Sequence, residues 1–227
     1  MILLRGHWQL IALTALVAAL WTTPVIVPLK ILVVFLHEGS HALAALVTGG
    51  SVEAITLSPR EGGTTLTLGG NAFVLMSAGY LGSLLIGVAL FLAALRSRAD
   101  RWVMAGMGAL MLLTAALYMR ESFALIFTLA TGTALLTAAR FLPHQVADLT
   151  LRVIGLTSMI YVPLDIFSDT IARAHLPSDA HMLAQTFGGT TVMWGGLWLI
   201  LSLATVATTL RYATGSDSNI TLRTRPT

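Results

Sequence analysis

From Leu29 to Val47 the sequence is long and apolar enough to make a membrane helix, yet His37-Glu38-Gly39-Ser40-His41 stand in its middle. In hydrocarbon such a run has to be helical, because every backbone amide must find its partner within the segment. On a helix His37 and His41 fall one turn apart on one face, with Glu38 beside them. This is the H-E-x-x-H spacing, in which two imidazoles ligate zinc and the carboxylate activates a water molecule. The rest of the chain must then supply a third ligand, a site sheltered from bulk water and a substrate.

The chain has 227 residues, of which 56% are hydrophobic and 10% charged, and its mean hydropathy is +0.83. Soluble domains carry roughly 25% charged residues, so the composition indicates an integral membrane protein, with the lipid bilayer as its solvent. The chain has no cysteine, which excludes disulfides, thiolate ligands and cysteine nucleophiles. The formal charge of +3 comes from arginines placed between apolar segments, a pattern of interfacial anchoring without a nucleic-acid footprint. Arg5 followed by the apolar run Leu10–Leu20 has the look of a signal peptide. Apolar character continues to Pro28, however, and favours a retained first span.

Seven apolar segments approach the ~20 residues needed to cross a bilayer: Trp8–Pro28, Leu29–Val47, Ala72–Leu95, Trp102–Met119, Ser122–Ala139, Thr150–Ala172 and Thr191–Leu210. Pro24 and Pro28 are expected to bend or end the first of them. Between the second and third lies Ser51–Gly70, where two threonine-rich alternating stretches flank Pro59-Arg60-Glu61-Gly62-Gly63; this predicts a β-hairpin with glycines in its turn. An ordinary surface loop is the competing expectation. The third span contains Ser77-Ala78-Gly79-Tyr80-Leu81-Gly82-Ser83, small residues that permit close helix contact. The fourth and fifth spans carry nothing that suggests chemistry. We expect an all-α polytopic membrane protein of six to seven transmembrane helices, with a small β-hairpin after the histidine-bearing helix. Residues 1–212 form one transmembrane domain in this reading, and residues 213–227 a polar, disordered tail.

Ionisable residues inside a membrane are costly and mark function. The second such cluster is Asp165 and Asp169 in the sixth span. With no cysteine and no third embedded histidine, a carboxylate is the expected third ligand. At 1.5 Å per residue His41 lies about 16 Å from Lys30, and Asp165 about 20 Å from Arg152 on the same membrane face. Both fall near the middle of a core about 30 Å thick. Asp165 is therefore favoured as the ligand. Asp169, one turn further, is the alternative ligand or a partner that orients a histidine; it can also simply pair with Arg173. His7, His144, His175 and His181 fall at span ends or connections, where interfacial roles are expected. Pro177-Ser178-Asp179 predicts the start of a short helix, with Ser178 as N-cap and Asp179 as a helix-start residue.

These residues resemble the site-2 protease family of intramembrane zinc metalloproteases. His37, Glu38 and His41 match its H-E-x-x-H helix. The glycine-bounded hairpin is similar to its membrane-associated β segment, the Ser77–Gly82 run to its next helix, and Pro163-Leu164-Asp165 to its Leu-Asp-Gly motif. The resemblance covers roughly residues 30–95 and 145–210; the run Asp165-Ile166-Phe167-Ser168-Asp169, then Ser178-Asp179-Ala180 and Trp194-Gly195, is more similar to a compact branch of the group without a PDZ domain. Two positions depart from the pattern: Thr157 stands where an asparagine is usual, and Ile166 where a glycine is. The asparagine is thought to help hold the substrate carbonyl, so Thr157, Ser158 and Tyr161 become candidates for that role.

The resemblance implies a zinc metalloendopeptidase that cleaves transmembrane or membrane-associated proteins, with Zn2+ on His37, His41 and Asp165 and with Glu38 as the catalytic base. Two other functions fit the same motif: a non-catalytic zinc-binding transporter or assembly factor, and a zinc hydrolase of lipidated substrates. We place the chain as a multi-pass protein of a bacterial cell membrane. Basic residues collect on the Lys30 side, which makes that side cytoplasmic by the positive-inside rule, whereas the resemblance puts the hairpin side there. Oligomeric state is not readable from the sequence.

Overall fold

The computed structural model describes residues 2–220. Eight α-helices and one antiparallel hairpin follow in the order α1 (Ile2–Leu20), α2 (Val27–Val47), β1 (Ser51–Ser58), β2 (Gly62–Leu68), α3 (Ala72–Arg96), α4 (Asp100–Tyr118), α5 (Ser122–Phe141), α6 (His144–Ile166), α7 (Asp179–Phe187) and α8 (Thr191–Ala213). Six of these helices are long and apolar enough to cross a membrane: α2, α3, α4, α5, α6 with its continuation to Ala172, and α8. The chain is thus an integral, multi-pass membrane protein, all-helical but for the hairpin. The apolar part of α1 is shorter, Gly6–Leu20.

The prolines act differently from expectation. The first helix already stops at Leu20, and a run of turns leads through Pro24 to α2. Pro28 sits in the first turn of α2, where a missing N–H costs nothing, so it starts that helix and does not end the preceding one. The sixth helix begins at His144, six residues before the expected Thr150, directly after Pro143. Its polar first turns are accommodated by a buried ion pair between Asp148 and Arg152, one turn apart. Pro163 lies inside α6, and the helix then widens into a π-helical turn over Phe167–Ala172.

Close approach of α3 to its neighbours depends on missing side chains. A Cβ on Gly87 or Gly155 would collide with Ser158 or with Phe91, so these glycines set the contact between α3 and α6. Gly82 leaves space for Ser40 of α2 in the same way. The buried core runs through α2, α3 and α6, including Val33, Phe35, Leu84, Phe91, Leu151 and Ile166. Helices α4 and α5 pack on each other at Gly108 and Gly132 and present exposed leucines outward, as lipid-facing helices do.

The expected hairpin is present, pairing Ser51 with Leu68 through Ser58 with Gly62, with an irregularity between Val52 and Ala54. It is not a surface loop. From the end of α2 it folds back along that helix: Thr65 meets Glu38 halfway down, and Glu61 at the tip lies 3.3 Å from Lys30 near the helix start. Eight strand residues reach about 26 Å, enough to run beside most of α2. Ile55 and Leu57 of β1 are buried, on the side that packs against α2, α4 and α5. The turn needs its left-handed residue at Glu61 (φ 62°), while Gly62 and Gly63 belong to β2.

The segment after Ala213, expected to be disordered, is held as far as Ile220. The Ser218 amide donates to the Gly6 carbonyl at 3.0 Å, Arg152 donates to the Ser218 carbonyl, and the Ser218 hydroxyl lies 2.8 Å from His7 Nδ1. Residues 221–227 of the expected tail lie outside the described residues.

Candidate active site

Helix α2 delivers its two histidines to one face, as their spacing requires, with the Nε2 atoms 3.1 Å apart. His41 Nδ1 lies 2.8 Å from the Leu75 carbonyl, which fixes the tautomer whose Nε2 is free to ligate. The edge of Tyr80 packs on the His37 ring at 4.7 Å between centroids. Opposite the imidazoles α3 has Gly79, where a Cβ would lie within 2.5 Å of His41 Nε2. The small-residue run of α3 therefore serves the histidines as well as helix packing.

The third group at the imidazoles is Asp179, the first residue of α7. Its Oδ2 lies 3.1 Å from His37 Nε2 and 3.2 Å from His41 Nε2. Ser178 does cap α7, accepting from the His181 amide at 3.2 Å, so Asp179 is also the helix-start residue that the sequence predicts. Ala180 and Leu183 bury the inner face of α7, and Phe187 joins Phe73 and Trp194 in an edge-to-face cluster that fixes its other end. Burial opposes ionisation of Asp179, yet the adjacent His41 and His37 hold its carboxyl well below the usual carboxylate range. Its Oδ2 is buried and makes no well-directed hydrogen bond, although it touches both imidazoles. Three donor atoms 3.1–3.2 Å apart fit a shared tetrahedral cation. Ligands at about 2.0–2.1 Å from zinc are about 3.3 Å from one another. Among the described residues these three form the one group of histidines and acids close enough to hold a metal.

Asp165, the expected third donor, lines the same cavity but is not a member of that group. Asp169 is occupied elsewhere: it accepts from the Tyr80 hydroxyl at 3.0 Å and pairs with Arg173. Depth along the helices leads to the cavity, which Asp165 does line, whereas the acid that touches both imidazoles is Asp179. His41 is only six residues, about 9 Å, from the end of α2, so a residue outside the spans reaches it. The sequence held two signals for Asp179, the capped helix start and the Ser178-Asp179-Ala180 run shared with the compact branch, but the helix start gave the residue a sufficient local explanation.

Glu38 is buried at 5% exposure and faces the hairpin, where Thr65 Oγ1 lies 2.8 Å from its Oε2. A cavity of about 890 Å³ brings together His37, Glu38, His41, Asp179, the β2 strand, Tyr80 and Asp165. A two-stranded sheet leaves the outer edge of β2 without a strand partner, and β2 residues from Gly62 to Thr67 line this cavity. Such backbone is tolerated at membrane depth only where it is buried in protein or lines a water-filled cavity.

Of the residues considered for a carbonyl-binding role, Thr157 and Ser158 are buried, with their hydroxyls donated to the Val153 and Ser83 carbonyls. The Tyr161 hydroxyl points to the Glu61 carbonyl at 3.5 Å. His7 and His181 bond to Ser218 and Gln185, His144 lies 2.7 Å from Asp100, and His175 is exposed; none joins the cluster.

A family model described as Peptidase M50B-like matches residues 10–209. No curated protein and no solved structure matches the chain.

Proposed function

Since this chain belongs to the Peptidase M50B-like family, we propose that it is an intramembrane zinc metalloprotease of site-2 type that hydrolyses peptide bonds in transmembrane or membrane-associated proteins. The observation that carries this reading is the convergence of His37 Nε2, His41 Nε2 and Asp179 Oδ2 beside a buried glutamate, at the wall of a cavity within a membrane fold. His37, His41 and Asp179 are the proposed metal ligands, in place of the set with Asp165. When bound there, zinc would polarise the scissile carbonyl and lower the pKa of water.

The protein's own groups perform the remaining tasks. Glu38 accepts the proton of the attacking water and returns it to the leaving amine. His41, held by the Leu75 carbonyl, and His37, held by the Tyr80 ring, keep their Nε2 atoms in place. A substrate helix hides its carbonyls in its own hydrogen bonds and must unwind before attack. The free edge of β2 offers such an unwound segment a strand to pair with. Asp165 supports the polarity of the cavity without ligating.

The test is metal content and peptide cleavage in the purified wild type, Glu38→Gln and Asp179→Asn. Zinc retained without cleavage in Glu38→Gln supports the peptidase. Normal function in Glu38→Gln would favour a non-catalytic zinc protein, and release of lipid without peptide fragments would favour a hydrolase of lipidated substrates.

A further inference from the structure

The glutamate taken above as base is held by the hairpin as well as by its own helix. Thr65 Oγ1 lies 2.8 Å from Glu38 Oε2 and 3.0 Å from the Glu38 carbonyl oxygen. A threonine hydroxyl has one proton to donate, and the carboxylate is the stronger acceptor. Oε1 accepts no hydrogen bond among the described residues, and it lies over Gly63, where a Cβ would come within 2.7 Å of Oε1 and of Cγ. Gly63 and Thr65 are two apart on β2 and face the same way. One strand face thus meets the glutamate with a gap followed by a donor. The turn does not explain the gap, because the left-handed residue there is Glu61.

We propose that Thr65 is a positioning residue for Glu38: strand β2 ties down Oε2 and leaves Oε1 as the oxygen that handles the proton. Gly63 makes the room that this orientation needs. The strand that offers its edge to substrate is then the same strand that sets the base, so occupation of the edge and alignment of the carboxylate are mechanically linked. This rests on the reading of Glu38 as the base.

The experiment uses the full chain, purified in detergent and zinc-loaded, with a set of quenched fluorogenic peptides whose leucine-alanine transmembrane segments carry a Gly-Pro helix break. Thr65→Val keeps the shape and loses the donor. It is expected to lower kcat on the order of ten- to a hundredfold, the range for a misplaced catalytic group, with KM and zinc content unchanged. Thr65→Ser restores kcat to within about threefold of wild type, and Gly63→Ala lowers kcat with zinc retained. A second readout is independent of turnover. In infrared spectra of protein with isotope-labelled glutamate, the carboxylate band that Glu38→Gln abolishes shifts in Thr65→Val and not in Thr65→Ser.

Wild-type kcat in Thr65→Val, an unshifted band, or a Thr65→Ser as impaired as the valine variant would each overturn the proposal. So would loss of zinc in Thr65→Val, since the hydroxyl would then be holding the fold. A Glu38→Gln enzyme that still cleaves, or a wild type that cleaves none of the peptides, sinks the peptidase reading together with this one. An inactive, zinc-bearing Glu38→Gln beside an unaffected Thr65→Val sinks this inference alone.

Discussion

Replacing Asp179 by asparagine separates the ligand set proposed here from the one that depth counting along the helices favours. The substitution keeps the shape of a side chain that is 8% exposed and wedged against two imidazoles. It exchanges a charged donor for a weak neutral one. Structural zinc sites with four ligands bind with about 10–16 kcal/mol, or roughly 2.5–4 kcal/mol for each ligand. At 1.4 kcal/mol per factor of ten, complete loss of one ligand weakens binding by about 10²–10³-fold. The asparagine oxygen recovers part of this, which places Asp179→Asn near the lower end. Asp165→Asn is the matched control: it removes a carboxylate from the same cavity but leaves the three converging donors intact. Zinc affinity is measured on the full chain in detergent by competition with a chelator, and bound metal by mass spectrometry. The expected result is about a hundredfold loss in Asp179→Asn and less than about threefold in Asp165→Asn. Zinc lost in Asp165→Asn and kept in Asp179→Asn would refute the assignment and the geometric reasoning behind it.

Gly79→Ala inserts a methyl between α3 and the histidines, and should cost about 1–3 kcal/mol together with most of the bound zinc. Gly106→Ala, which meets nothing within 4 Å, should leave both thermal stability and zinc undiminished. Tyr80→Phe keeps the ring on His37 and removes the bond to Asp169; zinc should be retained while the unfolding free energy falls by about 1.5–3 kcal/mol. Arg152→Met leaves Asp148 buried without its partner, and should destabilise the protein by about 3–5 kcal/mol in denaturant unfolding, with Asp148→Asn in the same chain recovering part of the loss.

Much of this fold was legible because a bilayer allows so few solutions. A long apolar run must be a helix, so the positions of α2 through α6 and α8 followed from hydropathy, with errors only where prolines start helices or a buried ion pair disguises one. The hairpin was legible from alternation and turn residues, but its place was not. Nothing local to Ser51–Leu68 says that it folds back beside α2, because the contacts that hold it there, Lys30 with Glu61 and Glu38 with Thr65, join distant parts of the sequence. His37, Glu38 and His41 were readable because one helix carries all three. Asp165 was preferred because it lies at the right depth, but equal depth does not fix which way a side chain points after Pro163 and a π-helical turn. Asp179, the ligand now proposed, reads in the sequence as a helix-start residue, because an acid after a capping serine already has a reason to be there.

The placement of Asp179 on α7 also bears on how the protein is made. The two histidines enter the membrane with the second helix, whereas their acidic partner follows the sixth and sits on a short helix clamped by Phe73, Phe187 and Trp194. A nascent chain that has inserted its early helices therefore holds an incomplete donor set. On the proposed function, cleavage inside the bilayer becomes possible only after synthesis has passed α7 and α7 has docked on the first two membrane-spanning helices.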